Sequence, residues 1–492
     1  MKASKTPPLE LLPTGDSALD SILGGGLPAR SLVTIGGEPG SGKTMLTLQM
    51  LFAAARRGEK SLYFTTLSEP AIKVIRYMQK FEFFDPDLLD KNVIFADLAA
   101  AGRQGAERTL AELESRIAKH APTLIAIDSF RALGELLGVD LRAFVYDLAV
   151  SMASSGATTL LVGEYARDEV TTLPEFVVAD GILRLATERR ELTSTREIEV
   201  VKLRGTAHLS GRHFFDIGAH GLTFYPRVSA PVEVDRGAAA SVRANAPDDR
   251  ASTGVEGLDE LFAGGLPRNS ATLIQGSTGT GKTLLSLQFL IDGAKRGEKG
   301  VFFTLEESAE QLRSHAEGLG WDLARLEEAG LIVIKYSSPV ELSTDRFLYE
   351  ARTEAAALGA TRAVFDSLTT MALGVQSDRR FKEMAYAIAK HMRGQGVTLA
   401  MTLEAEQLMG AATIGSQGVS FIADNLVQLR YVEIEGRLER AISVIKARGV
   451  QHASELRSMI ISKGGIRVVA GRFKEMRGVL TGLPAHDPRP KS

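Results

Sequence analysis

Gly276-Ser-Thr-Gly-Thr-Gly-Lys282-Thr283 and its earlier copy Gly37-Glu-Pro-Gly-Ser-Gly-Lys43-Thr44 are the stretches that decide the fold of this chain. Both follow the G-x-x-x-x-G-K-T pattern of a phosphate loop (P-loop), whose backbone N–H groups cradle a triphosphate. The alternative is a chance glycine-rich turn. However, an apolar strand-like run precedes each copy and an amphipathic helical pattern follows it. The sequence therefore predicts two sites for a nucleoside triphosphate with Mg²⁺.

The residues expected to hold the phosphates come from both copies of the loop. They are Gly37, Gly40, Ser41, Gly42, Lys43 and Thr44 in the first, and Gly276, Thr278, Gly279, Thr280, Gly281, Lys282 and Thr283 in the second. In each loop the lysine reaches the terminal phosphates, and the hydroxyl of Thr44 or Thr283 is a metal ligand.

Composition excludes several classes of protein. The chain has 492 residues, 44% of them hydrophobic, with a formal net charge of −2 and no cysteine. Disulfides and thiolate zinc sites are therefore impossible, and a surface devoted to nucleic acid is not expected. Because we find neither a signal peptide nor an apolar stretch long enough to span a bilayer, we expect a cytoplasmic protein without membrane contact.

The chain repeats itself. Pro13–Asp20 returns as Ser252–Asp259, and Gly25–Pro28 returns as Gly264–Pro267. Such a long period indicates duplication of a whole domain. We predict a first domain over 1–225, a linker over 226–251 that is rich in Ala, Pro, Asp and Arg, a second domain over 252–472, and a C-terminal loop and tail over 473–492.

Both copies read as α/β domains. Short β-branched runs alternate with helical patterns, which predicts a mainly parallel sheet flanked by helices. Each copy then ends in alternating segments, such as Glu197–Leu203 and Arg440–Lys446. These segments predict an antiparallel extension of the sheet.

Asp128 and Asp366 are the candidate metal-side carboxylates. Each ends an apolar strand-like run, in Leu-Ile-Ala-Ile-Asp128 and Arg-Ala-Val-Phe-Asp366. The carboxyl end of a parallel strand is where such sheets bind ligands, so either aspartate can reach Mg²⁺ or its waters. A cap for the following helix is the alternative role.

A second acidic position follows the neighbouring strand. The second copy has Glu306 and Glu307 there, and the first copy has Ser68 and Glu69. Carboxylates at this place can polarise the attacking water or hydroxyl. The acidic first turn of a helix explains them equally well without catalysis.

Positive charge for the transition state is expected from Lys202 and Arg204, and from Lys446 and Arg448. Residues i and i+2 of a strand share a face, so both cations of a pair point the same way. Solvated charges on an exposed strand are the alternative, but the Lys-x-Arg-Gly unit recurs in both copies. The pattern leaves open whether each pair serves its own site or a neighbour's.

Taken together, these residues resemble the KaiC family of circadian clock proteins, which are double-domain RecA-like ATPases and autokinases. The resemblance covers nearly the whole chain. It includes both P-loops, Lys202-Leu-Arg-Gly-Thr206, Gln407-Leu-Met-Gly-Ala411, Asp424, Tyr431-Val-Glu-Ile434 and the loop from Phe473 to Pro484.

This resemblance implies a two-tier homohexamer with ATP at the subunit interfaces. Lys202 and Arg204, or Lys446 and Arg448, would contact the ATP of the adjacent subunit. The first tier would be an ATPase. The second would be an autokinase and autophosphatase whose catalytic carboxylates are Glu306 and Glu307.

Three departures from the family pattern bear on function. The paired Ser-Thr phosphoacceptor falls at Ser420 and Phe421, which leaves Ser420 as a single acceptor or as an unmodified serine. Ser68 replaces the leading catalytic glutamate of the first tier, so hydrolysis there is expected to be slow or to use Glu69. The tail beyond Pro484 is short, which argues against a KaiA-type activator, whereas a KaiB-like or sensor protein is the partner that the family suggests.

Three functions therefore compete at this stage. The leading hypothesis is a hexameric ATPase with serine autokinase activity in the second domain. A second is an ATP-gated interaction platform without kinase chemistry, and a third is a RecA-type DNA motor, which the near-neutral charge of the chain disfavours.

Overall fold

The computed structural model describes residues 9–66, 70–137, 141–167, 169, 173–190, 193–227, 249–338, 344–375, 377–405, 421–434, 437–470, 476–477 and 485–486. The chain divides into two compact units, Met1–Arg227 and Val228–Ser492, called unit 1 and unit 2 below. The exact ends of the domains and of the linker stay predictions.

Unit 1 contains a nine-stranded sheet among its described residues. Its strands are β1 (Leu11–Leu12), β2 (Leu27–Pro28), β3 (Leu32–Gly37), β4 (Ser61–Thr65), β5 (Val93–Asp97), β6 (Leu124–Asp128), β7 (Thr158–Glu164), β8 (Gly181–Arg190), β9 (Thr193–Leu203), β10 (Arg212–Gly218) and β11 (Gly221–Tyr225). The sheet order is β11-β10-β9-β8-β3-β7-β6-β4-β5, and β1 pairs with β2 separately. The six strands from β8 to β5 are parallel, and β9 to β11 extend them antiparallel.

Helices flank this sheet. They span Ser17–Leu23, Lys43–Arg56, Ala71–Met78, Ala99–Gly102, Ala106–His120, Phe130–Leu137, Leu141–Ser155 and Pro174–Val178, and Pro86–Leu88 is a 3-10 turn.

Unit 2 repeats the same topology. Its strands are β12 (Arg250–Ala251), β13 (Leu266–Pro267), β14 (Ala271–Gly276), β15 (Gly300–Thr304), β16 (Ile332–Tyr336), β17 (Arg362–Asp366), β18 (Thr398–Glu404), β19 (Asn425–Ile434), β20 (Arg437–Ala447), β21 (Arg457–Ser462), β22 (Gly465–Val469), β23 (Met476–Arg477) and β24 (Ala485–His486). The sheet order is β16-β15-β17-β18-β14-β19-β20-β21-β22. In this order the six strands from β16 to β19, which include β15 and β14, are parallel. Strands β20, β21 and β22 extend them antiparallel.

The helices of unit 2 span Glu256–Leu261, Lys282–Lys295, Ala309–Gly318, Leu323–Glu328, Thr344–Leu358, Leu368–Leu373 and Asp378–Gly394. The predicted fold class, a mainly parallel sheet with helices and an antiparallel extension in each of two tandem domains, is confirmed. In the part of the chain that the structure describes, no helix is long and apolar enough to cross a membrane.

The core lies on both faces of the sheet because alternate residues of a strand point to opposite sides. In β15, Val301 and Phe303 pack in a cluster with the helices Thr344–Leu358 and Asp378–Gly394. Phe302 between them packs on the other face, against the helix that follows the P-loop. Burial on both faces explains why the parallel strands read as continuous apolar runs.

Candidate functional site

Each P-loop begins at the carboxyl end of the central strand of its sheet, β3 or β14. The loop leads directly into the helix Lys43–Arg56 or Lys282–Lys295. Gly42 and Gly281 precede these helices with φ of 99° and 104°, a left-handed conformation that favours glycine. Both loops therefore direct backbone N–H groups and a helix N-terminus toward one spot, which is the arrangement that binds phosphate.

The P-loop lysines turn back onto their own loops. Lys43 is 7% exposed, and its ammonium donates to the carbonyl oxygen of Glu38 at 2.8 Å. Lys282 donates to the carbonyl oxygen of Ser277 at 3.1 Å. Burial lowers the pKa of both ammonium groups, against the opposing effect of nearby carboxylates. A largely buried cation beside N–H donors fits the terminal phosphates of a nucleotide.

The metal-side pairs form in both units. The Thr44 hydroxyl donates to Asp128 Oδ2 at 2.7 Å, and the Thr283 hydroxyl donates to Asp366 Oδ2 at 2.8 Å. Mg²⁺ prefers oxygen ligands and is usually held by one or two carboxylates together with substrate phosphates. A hydroxyl and a carboxylate beside the P-loop fit that ion.

A second hydroxyl reaches each metal-side aspartate, but from a different strand in each unit. In unit 1 the Tyr63 hydroxyl, on β4, donates to Asp128 Oδ2 at 2.7 Å. In unit 2 the Thr402 hydroxyl, on β18, donates to Asp366 Oδ1. Sequence reasoning missed both residues, because only the strand order shows which side chains surround an aspartate.

Asp366 is 2% exposed. Burial raises its pKa from the ordinary 3.8 to about 6, although the hydroxyls of Thr402 and Thr283 oppose the shift and the charges of Glu306 and Glu307 add to it. Without a cation, part of the unit 2 population therefore carries a neutral Asp366 near pH 6.

Glu306 and Glu307 follow β15, next to the strand that ends in Asp366. Glu306 accepts hydrogen bonds from the hydroxyls of Ser367 and Thr370, whereas Glu307 Oε2 lies 3.0 Å from His315 Nδ1. The negative charge of Glu306 acts on both Lys282 and Asp366. The predicted catalytic carboxylates therefore lie in the same electrostatic site as the P-loop.

Two further carboxylates belong to these sites and were missed. Glu164 ends β7 and pairs in register with Gly37, and Glu404 ends β18 and pairs with Gly276. The hydroxyl of Thr278 in the P-loop donates to Glu404. Their recurrence at the end of equivalent strands was the signal that could have found them.

A cavity of about 920 Å³ opens at the P-loop of unit 1. Besides the loop it is lined by Tyr63, Asp128, Glu164 and Arg131. Arg131, also missed from the sequence, bonds Glu169 at 2.7 Å. The size and the polar lining suit a nucleotide.

The two Lys-x-Arg pairs lie at the amino ends of the parallel strands, whereas the P-loops follow the carboxyl ends. Lys202 donates to the carbonyl oxygen of Ala179 at 2.6 Å, and Arg204 bonds Asp180 at 3.2 Å. Asp180 in turn accepts from the backbone N–H of Leu32, the first residue of β3. Both cations therefore lie level with the start of β3, whereas the P-loop follows its end.

Unit 2 repeats this placement. Lys446 donates to the carbonyl oxygen of Ala423 at 2.6 Å, and the backbone N–H of Arg448 donates to the carbonyl oxygen of Asp424 at 3.0 Å. Asp424 accepts from the backbone N–H of Ala271, at the start of β14. Burial and the neighbouring arginine lower the pKa of each lysine.

Some predicted residues lie outside the described part of the chain. They are Ser68, Glu69, Ser420, the segment 407–411 and the loop 473–484 apart from 476–477. Their roles stay predictions.

Comparison with known proteins gives one consistent result. The family model described as the KaiC ATPase matches residues 12–229 and again 251–472. Relatives that carry the name circadian clock oscillator protein KaiC include the following three. The relative from Picosynechococcus sp. is 29% identical over 95% of this chain and 90% of its own length. That from Thermostichus vulcanus is 29% identical over 96% and 91%, and that from Prochlorococcus marinus is 28% identical over 97% and 96%.

Proposed function

The chain belongs to the KaiC ATPase family, and from that premise we propose that it is a homohexameric ATPase with ATP bound between subunits. In this proposal unit 2 also transfers phosphate to Ser420 of the same protein. The relatives' names extend the proposal to timekeeping or related signalling.

The placement of the Lys-x-Arg pairs carries this proposal. Strand β3 has six residues, so at about 3.3 Å per residue its two ends are roughly 17 Å apart. A lysine or arginine at the start of β3 is therefore too far from the P-loop at its end to touch the same nucleotide. The pair can act on a nucleotide only if another subunit places its P-loop next to the amino end of β3.

The residues of unit 2 divide the chemistry between them. Lys282 and the P-loop amides would hold the terminal phosphates, and Thr283 and Asp366 would hold Mg²⁺, which would neutralise phosphate charge. Glu306 accepts the proton of the attacking oxygen while the bond between the terminal phosphorus and ADP breaks. Lys446 and Arg448 of the neighbouring subunit stabilise the charge that develops on the transferred group.

Unit 1 is proposed to turn over more slowly. It has the P-loop, Thr44, Asp128 and the Lys-x-Arg pair, but after β4 it has Ser68 and Glu69, with a single carboxylate, where unit 2 has Glu306 and Glu307. General-base catalysis typically contributes about 10²–10⁴-fold. Unit 1 then serves mainly to bind ATP and to hold the ring together.

A second candidate is an ATP-gated interaction platform without kinase chemistry. Phe421 favours it, because this residue follows Ser420, cannot accept a phosphate and is 57% exposed. An exposed aromatic side chain at this place suits contact with another protein. A KaiB-like or sensor protein is the partner that this proposal requires.

The deciding experiment measures the intact mass of the protein after incubation with ATP and Mg²⁺, with phosphate release followed in the same tubes. Wild type, Ser420→Ala and Lys282→Ala are compared. A phosphate adduct in wild type that both variants lose is the expected result. Phosphate release without any adduct would leave the interaction platform as the function.

A further inference from the structure

The carboxylate of Glu306 is held by two hydroxyl groups from one short helix of unit 2. Both Ser367, which caps the helix Leu368–Leu373, and Thr370, within it, donate to Glu306 Oε1, the threonine at 2.6 Å. The two hydroxyl oxygens lie 3.1 Å apart. The backbone N–H of Thr370 also donates to the Ser367 hydroxyl at 3.2 Å. These bonds tie the glutamate to the helix that follows the metal-side aspartate.

The neighbouring glutamate has a different anchor. Glu307 lies beside His315 of the helix Ala309–Gly318, and its backbone exchanges hydrogen bonds with the Thr304 hydroxyl. The two adjacent carboxylates are therefore drawn to two different helices. Only Glu306 is directed to the helix after Asp366.

The duplicated unit provides an internal comparison. Four residues after Asp128, unit 1 has Ala132 where unit 2 has Thr370 after Asp366. Ser129 remains at the helix start in unit 1, and its hydroxyl accepts from the backbone N–H of Ala132 at 3.4 Å. Unit 1 thus lacks the threonine hydroxyl, and its sequence after β4, Thr66-Leu-Ser-Glu69, has one carboxylate where unit 2 has Glu306 and Glu307.

We propose that Thr370 is a positioning residue that fixes Glu306 for proton acceptance in unit 2. The proposal rests on the proposed function of Glu306. In hydrolysis a water oxygen bonds to the terminal phosphorus of ATP, the bond to ADP breaks and the water proton passes to Glu306. A carboxylate held by two donors keeps one orientation, and a displacement of about 1 Å can cost roughly 10²-fold in rate.

The experiment uses the full chain and measures phosphate release against ATP concentration at saturating Mg²⁺. The variants are Thr370→Ala, Thr370→Ser, Glu306→Gln and the double variant Glu306→Gln/Thr370→Ala. The rate that Glu306→Gln removes defines the Glu306-dependent part. We expect Thr370→Ala to lower that part about tenfold with KM changed less than about threefold, because the alanine leaves the P-loop intact. The serine variant should stay within about threefold of wild type.

The double variant separates positioning from general damage. If Thr370 acts through Glu306, adding Thr370→Ala to Glu306→Gln lowers the rate no further. An equal loss in both backgrounds, or an unchanged rate in Thr370→Ala, would overturn the proposal. If Glu306→Gln itself leaves phosphate release unchanged, the catalytic role of Glu306 fails first, and the role of Thr370 fails with it.

Discussion

Asp366 is buried so deeply that its pKa of about 6 lies above the ordinary carboxyl value of 3.8. Between these two pH values the folded protein binds a proton that the unfolded chain has already lost. The stability contributed by this group is therefore present at low pH and is lost as the pH rises through about 6. This cost of burying the ionised carboxylate fits the proposed Mg²⁺ site, because a bound cation would stabilise the ionised form.

Replacement of Asp366 by asparagine is expected to stabilise unit 2 in the absence of nucleotide and Mg²⁺. The gain at pH 7.5 should be on the order of 1–3 kcal/mol and should disappear toward pH 4.5, because the wild-type carboxyl is then protonated. Trp321, the single tryptophan of the chain, is buried in unit 2 and reports its unfolding by fluorescence. A variant that is destabilised at pH 7.5 and not at pH 4.5 would contradict this account.

Only some of the individual site residues could be predicted from the sequence. The P-loops and the metal-side aspartates were predictable because each is a local pattern of glycines, lysine and strand-end carboxylate. Tyr63 and Thr402 were not, since equivalent roles are filled from β4 in one unit and from β18 in the other. Glu164 and Glu404 also depend on strand register, which no local pattern fixes.

Among the elements, the helix Ala309–Gly318 begins directly after the predicted catalytic residues Glu306 and Glu307. Ser308 caps it, with its hydroxyl accepting from the N–H of Gln311 and the Gln311 side chain accepting from the N–H of Ser308. Unit 1 has Pro70 at the equivalent cap, and the proline side chain makes no capping hydrogen bond. The two units therefore begin this helix by different means.

Substitution of Ser308 by alanine should destabilise unit 2 by about 1 kcal/mol, because loss of the serine hydroxyl leaves the backbone N–H of Gln311 without its acceptor. Denaturant unfolding followed by Trp321 fluorescence measures the effect. Ser314→Ala, an exposed position on the same helix, is the matched control and should change stability by less than about 0.5 kcal/mol. Equal losses in the two variants would show that the cap does not matter.

The element pattern itself was largely predictable. Apolar β-branched runs between helical patterns indicate a parallel sheet, and alternating segments at the end of each copy indicate its antiparallel extension. Strand order could not be deduced, because β3 lies between β7 and β8, which are distant in sequence. This strand order places the P-loop and the Lys-x-Arg pair at opposite ends of the parallel strands.

For the whole molecule, the proposed function implies that neither unit completes an ATP site by itself, because the P-loop and the Lys-x-Arg pair lie at opposite ends of the parallel strands. In the proposed ring each subunit would contribute a P-loop to one neighbour and a Lys-x-Arg pair to the other. A closed ring of identical subunits satisfies every such interface at once, since the contact is head-to-tail. If the sites are shared in this way, a ring that contains two different defective subunits is expected to regain activity.

Rings assembled from two different variants test whether the ATP sites are shared between subunits. Lys282→Ala removes the P-loop lysine of unit 2 but keeps Lys446 and Arg448, and the double variant Lys446→Ala/Arg448→Ala does the reverse. When assayed separately, each variant is expected to have an inactive unit 2. Its phosphate release should then be no faster than that of Glu306→Gln, which serves as the baseline. Exchange of subunits between the two variants should restore phosphate release well above that baseline, because some junctions then combine an intact P-loop with an intact pair. A mixture no more active than its components would contradict the account, because each unit would then complete its own site.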